Sequence, residues 1–263
     1  MSEATLTPDT AAQPLAHDLI LLLADSKRLL GTRYAEWILG APELETAIAC
    51  ASMAQDEWGH ARLLYALLKD FGADVDQLEH GRAPTEYCNI DVLDRAPENW
   101  ADLVAINAMV DTALTVQLHA LTDSTYAPLR QRVAKLIDEE RFHAAHGLAW
   151  TRRLARTPPG KTQLQQALQR VVPGVLRWFG PETEAAHAAV ASGLVGEGPD
   201  ALRQRWQDAV ATGLQAGDAV PLASVAPDFN GFDVRTRRKR GSAPDAETIE
   251  RVRGDRNRAF LMD

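Results

Sequence analysis

The sequence predicts an all-α fold in the form of a helical bundle. Windows rich in alanine and leucine carry apolar residues at spacings of three and four, which is the period of an amphipathic helix. Short breaks containing Pro and Gly separate these windows, and no stretch alternates convincingly with the period of two that a half-buried strand requires. We therefore expect almost every regular element to be a helix.

Four long helices account for the first part of the chain. Gly40-Ala-Pro42 ends the first of them and Gly72 ends the second. The predicted helices cover 15–39, 43–71, 98–121 and a fourth range that begins after Tyr126-Ala-Pro128 and ends near Ala155. Residues 73–97 form a long connection between the second and third helices. Two helical hairpins joined by one long crossover are the connectivity of a ferritin-like four-helix bundle.

The rest of the chain reads as a helical extension of this bundle. Further helices are predicted at about 161–179, 182–192 and 199–216, and a polar C-terminal helix from Pro244 onward. Residues 217–243 read as an irregular segment. We expect a single domain over 1–263, with the core bundle at about 15–155 and the C-terminal extension at about 161–263.

Composition and charge exclude several classes of protein. The 263 residues are 46% hydrophobic and 24% charged, which is typical of a globular protein with a sizeable core. The net charge of −8 argues against a nucleic-acid-binding protein. We find neither the roughly 18-residue apolar run of a membrane span nor a secretory signal, and Cys50 and Cys88 are too few for a disulfide framework. We expect a cytoplasmic protein that binds neither membranes nor nucleic acid.

Acidic and histidine residues interrupt the apolar seams of the bundle. The inward positions of the second helix include Glu57 and His60, and those of the fourth include Glu140 and His143. The third helix has Asp111 where packing alone would favour an aliphatic side chain. A Glu and a His three residues apart lie about one turn apart on one helix face, as in di-iron and di-manganese bundle sites. Because an unpaired buried charge is costly, these five residues predict a metal site.

The level of these residues, meaning their height along the bundle axis, distinguishes them from a chance pattern. At a rise of about 1.5 Å per residue, folding the third and fourth helices antiparallel places the Glu140/His143 pair opposite Asp111. A third pair with the same spacing, Glu184/His187, falls in a short later helix away from any bundle midpoint. We interpret that third pair as a coincidence.

The first helix should supply one more carboxylate. Asp25 and Glu36 lie on one seam of this helix. Folding the first helix onto the second brings Asp25 within about two residues of the level of the Glu-x-x-His pair, whereas Glu36 lies about 12 residues away, roughly 18 Å along the axis. We therefore prefer Asp25 as a metal ligand. The alternative is a surface Asp25 that pairs with Lys27 or Arg28.

At these motifs the sequence resembles a known family, the multicomponent phenylacetyl-CoA epoxidase of aerobic phenylacetate breakdown, in particular its catalytic di-iron subunit. The resemblance runs from about Asp25 to Gly180. It is carried by Gln55-Asp-Glu-Trp-Gly-His60-Ala-Arg-Leu-Leu-Tyr65, by Trp100-Ala-Asp-Leu with Val110-Asp111, and by Ser124-Thr-Tyr-Ala-Pro128 with Glu139-Glu-Arg-Phe-His143. It implies that the iron ligands are Glu57, His60, Asp111, Glu140 and His143, and that the three carboxylates among them are the catalytic residues.

The N-terminal half departs from that catalytic subunit. There the first-helix ligand is a Glu, and an ungapped alignment back from Ala41-Pro42 places Lys27 in its position. The stretch Ala35-Glu-Trp-Ile-Leu-Gly-Ala-Pro-Glu-Leu-Glu45 is more similar to the non-catalytic partner subunit, which also has an Asp where Asp25 falls but lacks the full metal set. The chain therefore resembles a member of the wider family with intact metal motifs and a hybrid N-terminal half.

The resemblance implies a di-iron oxygenase component that holds two iron ions, with manganese as the alternative metal, and that oxygenates an aromatic acyl-CoA with O₂. Histidine and carboxylate ligands with open positions suit Fe(II) that reacts with O₂. Electrons would come from a separate reductase, because the chain has neither a strand followed by G-x-G-x-x-G nor a cluster-binding cysteine set. An oligomer with itself or with a related chain is expected. The alternative functions are a non-catalytic scaffold subunit of such a complex and a ferroxidase or manganese-binding ferritin-like protein.

Two smaller features carry their own expectations. The basic run Arg235-Thr-Arg-Arg-Lys-Arg240 is interpreted as a solvated tail or a contact between subunits, with the phosphates of coenzyme A as an alternative ligand. His119 and His146 lie near seam positions, and we expect them to pack or to orient ligands rather than to bind metal.

Overall fold

The fold was analysed in a computed structural model that describes residues 12–214 and 225–260, and these residues are mostly helical. A π-helical turn, Asn107–Asp111, joins two of the helices end to end, so that residues 100–119 form one continuous rod. This architecture confirms the all-α prediction. The helices of the bundle are α1 (Gln13–Glu36), α2 (Leu44–Leu67), α3 (Trp100–Ile106), α4 (Thr112–His119) and α5 (Ala127–Ala155).

The C-terminal extension adds further helices and one small hairpin. Strand β1 (Phe232–Asp233) pairs antiparallel with β2 (Arg238–Lys239), so the segment predicted to be irregular contains a two-stranded hairpin. Part of that segment, and the predicted end of the helix before it, lie outside the described residues. The added helices are α6 (Pro158–Trp178), α7 (Glu184–Ala191), α8 (Pro199–Leu214) and α9 (Ala246–Arg253).

Helix α1 is buried on more than one side. It packs along α2 on one side, and the long crossover, residues 73–97, lies against another part of its surface. Arg33 of α1 donates to the carbonyl oxygen of Leu93 at 3.1 Å, and Ser26 accepts a hydrogen bond from the backbone N–H of Ile90 at 3.2 Å. Because two layers cover α1, its polar residues can be buried without facing the centre of the bundle.

The rod of residues 100–119 is apolar and long enough to cross a membrane, judged by length and composition alone. In this structure, 94% of its most apolar 18-residue window is buried. The packing of the bundle therefore accounts for its apolar surface.

Close helix packing sets the position of the site. A Cβ atom added to Gly147 of α5 would lie 2.8 Å from the backbone nitrogen of Ala108 in the π-helical turn. Only a residue without a side chain allows α5 to approach this closely. His143 lies one turn before Gly147, so this approach holds His143 beside Asp111.

Candidate metal centre

Four of the predicted ligands meet in the middle of the bundle. Glu57 comes from α2, Asp111 ends the π-helical turn, and Glu140 and His143 come from α5. All four are fully buried, and each offers a potential ligand atom within 4.8 Å of those of the others. The structure thus brings Glu140 and His143 beside Asp111, as the level argument from the sequence expects, and adds Glu57 to the same group.

His60 lies at the edge of this group. Its Nδ1 is 3.1 Å from Glu140 Oε1, and the Nδ1 of His143 is 3.0 Å from Glu57 Oε1. Each histidine thus contacts the glutamate of the opposite helix. This crossed arrangement ties α2 to α5 at the centre of the bundle.

A second carboxylate holds the outer nitrogen of each histidine. Glu139 Oε2 lies 2.6 Å from the Nε2 of His60, and Asp56 Oδ2 lies 3.3 Å from the Nε2 of His143. Such outer partners fix the orientation of a ligating imidazole. These two acids were not predicted from the sequence, although an acidic residue directly precedes the glutamate of both Glu-x-x-His motifs.

The ammonium group of Lys27 lies between the two glutamates. Its Nζ is 2.5 Å from Glu140 Oε1 and 3.0 Å from Glu57 Oε1, and the side chain is fully buried. Burial alone would lower the pKa of Lys27, but the negative charges of Glu140 and Glu57 raise it above its ordinary value. The lysine is therefore a cation inside the cluster.

Each carboxylate of the cluster has one oxygen that lacks both a hydrogen-bond partner among the described residues and a contact with the ammonium. These oxygens are Glu57 Oε2, Asp111 Oδ1 and Glu140 Oε2. A buried carboxylate oxygen without a partner is costly, and oxygens of this kind are ligands for a divalent cation. The donor set could therefore hold a metal ion, and these oxygens and His143 would be its ligands.

Polar side chains orient the carboxylate of Asp111 through its other oxygen. The hydroxyl of Tyr34 and the amide of Asn107 both donate to Asp111 Oδ2. Asn107 also donates to the carbonyl oxygen of His143 at 3.1 Å, and its Oδ1 lies 3.0 Å from the Nδ1 of His146. The expectation that His146 orients other groups fits this contact, whereas His119 is exposed.

Asp25 is buried, but the structure does not bring it to the cluster. The guanidinium of Arg82 donates to Asp25 Oδ2 at 2.9 Å, the backbone N–H of Cys88 donates to the same oxygen at 2.8 Å, and Tyr65 donates to Oδ1. Two residues along a helix are separated by a rotation of about 200°, so Asp25 points away from the side on which Lys27 meets the glutamates.

The alternative first-helix ligand, Glu36, is also placed elsewhere. Its Oε1 lies 2.7 Å from the Nη1 of Arg33 and 3.2 Å from the Nη1 of Arg251. The pair with Arg251 links the end of α1 to α9.

The buried charges of the centre shift one another's pKa values. Burial and the charge of Glu140 raise the pKa of Glu57 to about 7. Burial opposes ionisation of Glu140 as well, but Lys27 and His60 hold the pKa of that carboxyl below its ordinary range. Burial alone would lower the pKa of His143, and the carboxylates of Asp111 and Glu57 raise it to about 11. Without a metal, protons and the ammonium neutralise the buried carboxylates.

Comparison of the sequence with known protein families identifies the family of this chain. The family model described as "Phenylacetic acid catabolic protein" matches residues 1–227. The chain belongs to this family. Among curated proteins it is similar to two different subunits of the 1,2-phenylacetyl-CoA epoxidase of Escherichia coli K12. It is 28% identical to one of them over 74% of the chain and 79% of the relative, and 28% identical to the other over 65% of the chain and 57% of the relative.

The donor set of the centre is a poor fit for the two irons that the resemblance implies. It could hold one ion, as the unpartnered oxygens indicate. For a second ion, α1 presents Lys27 to the glutamates instead of a carboxylate, and Asp25 is held by Arg82. Asp25 therefore does not join the other five predicted ligands, which come from the other helices.

The basic run is divided between buried and exposed residues. Arg238 is buried, pairs with Asp94 and donates to the carbonyl oxygen of Tyr87 at 3.1 Å. The expectation of a solvated residue is therefore wrong for Arg238. Lys239 lies in the hairpin but is exposed, 3.3 Å from Asp228, and Arg235 and Arg240 are exposed as well.

The third Glu-x-x-His pair lies far from the cluster. His187 is exposed, and its Nε2 lies 3.0 Å from Glu182 Oε2. This position agrees with the interpretation of the pair as a coincidence.

Proposed function

We propose that this chain is a subunit of a complex that oxygenates an aromatic acyl-CoA, and that it is the partner of a separate di-iron subunit rather than that subunit itself. The observation that carries the proposal is the position of Lys27. Its ammonium contacts one oxygen of Glu57 and one oxygen of Glu140, the two carboxylates that would bridge a metal pair.

A bridging carboxylate needs both of its oxygens for the two metals. In this chain one oxygen of each glutamate contacts a positive charge that cannot act as a metal ligand while protonated. The same charge would repel a cation placed beside it. The site is thus poorly suited to two irons, although it keeps the ligands for one metal.

The family relationship supports the proposal that the chain works as one subunit of an oxygenase complex. The two relatives are subunits of one epoxidase, and the chain has the same sequence identity, 28%, to each of them over the aligned residues. We infer a cytoplasmic complex in which the di-iron partner reacts with O₂ and a separate reductase supplies electrons. The substrate class is an aromatic acyl-CoA, with phenylacetyl-CoA as the first to test.

The proposal is tested by oxygenation assays. The purified chain is loaded with Fe(II) and given phenylacetyl-CoA, a chemical reductant and O₂. We expect no oxygenated product from the chain alone. A tagged copy of the chain is also expressed in the organism it comes from, and the complex that it captures is assayed. We expect this complex to form product and to hold its di-iron centre in the other ferritin-like chain. Product formation by the isolated chain at the rate of the complex would contradict a partner role.

A second candidate function is the di-iron oxygenase component itself. It is favoured by the convergence of both Glu-x-x-His pairs on Asp111 in the buried centre. In that case Glu57, Asp111 and Glu140 would hold the metals together with the two histidines, and the metals would supply the reaction with O₂. Their outer partners, Glu139 and Asp56, would orient the imidazoles. Product formation by the chain alone would favour this function.

A further inference from the structure

The two oxygens of each central glutamate have different environments. Oε1 of Glu57 and Oε1 of Glu140 both face the ammonium of Lys27, at 3.0 and 2.5 Å. Oε2 of each glutamate lacks a hydrogen-bond partner among the described residues, and so does Oδ1 of Asp111. Each central glutamate therefore has one oxygen that faces the ammonium and one oxygen without a hydrogen-bond partner among the described residues, and Asp111 Oδ1 lies 3.9 Å from the Nδ1 of His143.

We infer that the ammonium of Lys27 stands in the place of one metal ion, so that the centre is a mixed site for one lysine and one divalent metal. The metal would be held by His143 and by the oxygens of Glu57, Asp111 and Glu140 that have no hydrogen-bond partner among the described residues; of these, Asp111 Oδ1 lies 3.9 Å from the Nδ1 of His143. The inference rests on the proposed function only in treating the chain as a member of a metal-dependent oxygenase complex.

Charge balance supports this division. The three carboxylates carry three negative charges, and one ammonium with one divalent ion supplies three positive charges when the histidines are neutral. Buried charges are tolerated when they are paired in this way. A second divalent ion would leave an excess of positive charge in a fully buried cluster that already contains Lys27.

Position 27 is also the right place for a ligand on α1. It lies seven residues before Tyr34, and residues seven apart share a helix face. Tyr34 reaches Asp111 from that face, and Lys27 reaches the glutamates. A glutamate side chain is one atom shorter than lysine, and a metal–oxygen bond is about 2 Å long. A carboxylate at this position could therefore hold a metal close to the present position of the ammonium.

The experiment counts metal ions per chain with Mn(II) as the probe. Wild type, Lys27→Glu and Lys69→Glu are titrated with Mn(II) under equilibrium dialysis, and electron paramagnetic resonance separates isolated from coupled Mn(II). Lys69 is exposed, so Lys69→Glu makes the same change of charge on the surface. We expect one isolated ion in wild type and in Lys69→Glu, and two coupled ions in Lys27→Glu. Two ions in wild type, or no gain in Lys27→Glu, would overturn the inference.

A second variant covers the case in which Lys27→Glu does not fold. Lys27→Gln removes the charge without adding a ligand, and circular dichroism checks that it remains helical. Because the ammonium repels a neighbouring cation, we expect the single Mn(II) ion at the centre of Lys27→Gln to bind at least about tenfold more tightly than it does in wild type. Unchanged or weaker binding would overturn the inference. These measurements use no substrate, so a failure of this inference can be told apart from a failure of the proposed function. Metal binding can differ from the expectation while the oxygenation assays agree with the proposed function, or the oxygenation assays can disagree while metal binding is as expected.

Discussion

Asp25 and Lys27 lie two residues apart on α1, and their side chains point to different sides of the helix. Asp25 meets Arg82 of the crossover, whereas Lys27 meets Glu57 and Glu140 in the centre of the bundle. Both are fully buried. The two charges therefore have separate roles, one in attaching the crossover and one in the candidate metal centre.

The first prediction concerns Asp25. Asp25→Ala leaves the guanidinium of Arg82 buried without its carboxylate, and removing one partner of a buried ion pair costs about 3–5 kcal/mol. We expect a loss of this order in the free energy of unfolding, measured with urea, and unchanged metal content. Adding Arg82→Met should recover part of the loss. A fall to half the wild-type metal with unchanged stability would instead make Asp25 a ligand.

The second prediction separates the histidines. His143 belongs to the group of four converging ligands, and His60 lies at its edge. We expect His143→Ala to weaken metal binding by more than about 100-fold and His60→Ala to have a smaller effect, with both proteins still helical. His187→Ala is the matched control, since His187 is exposed on α7. Equal losses at all three positions would indicate general destabilisation.

Much of this centre could be predicted from the sequence, for an identifiable physical reason. Apolar seams have a fixed period, and a constant rise per residue sets the level at which antiparallel helices meet. That arithmetic places Glu140 and His143 opposite Asp111 without any knowledge of side-chain contacts, and the Glu-x-x-His spacing identifies Glu57 and His60 as the second pair. The same arithmetic also separates Glu184/His187 from the true pairs.

The ligand of α1 could not be predicted in the same way. Asp25 is at the right level and is buried, but sequence patterns do not show that the crossover covers that side of α1. A helix buried on several sides has no unique apolar seam, so its inward face is ambiguous. The spacing of Lys27 and Tyr34 could have identified the face that meets the cluster. The β-hairpin was missed because each of its strands has only two residues.

The third prediction concerns the orientation of Asp111. Tyr34→Phe removes a hydroxyl that donates to Asp111 Oδ2 but leaves the ring packed. Groups that orient a metal ligand contribute about 10–100-fold to metal affinity, and we expect a loss of that size in Mn(II) affinity. Tyr126→Phe is the control, because the Tyr126 hydroxyl contacts Asp70 instead. Equal effects of the two variants would contradict a specific role for Tyr34.

The fourth prediction concerns pH. In the metal-free protein the pKa of His143 is raised from 6.5 to about 11 and that of Glu57 from 4.5 to about 7. Folding therefore favours the protonated form of both groups, and the stability they contribute is lost as pH rises through these values. We expect the free energy of unfolding of the metal-free protein to fall as pH rises from about 6 to 9. The raised pKa of His60 adds to this fall, whereas the lowered pKa values of His80 and His146 oppose it.

The metal-loaded protein should behave in the opposite way. A ligating histidine must be neutral, so metal binding releases protons and strengthens as pH rises. The stabilisation by Mn(II), measured by thermal unfolding at each pH, should increase between about pH 6 and 9. Stabilisation that is independent of pH would argue against His143 as a ligand.

A crystal structure of the wild-type protein soaked with Mn(II), with anomalous scattering recorded for the metal, would show whether the bundle holds one metal ion beside Lys27 or two. We expect one anomalous peak in the bundle, in contact with Glu57, Asp111, Glu140 and His143. The Nζ of Lys27 should remain between the two glutamates. Two peaks at the centre, with Lys27 displaced from Glu57 and Glu140, would contradict this expectation.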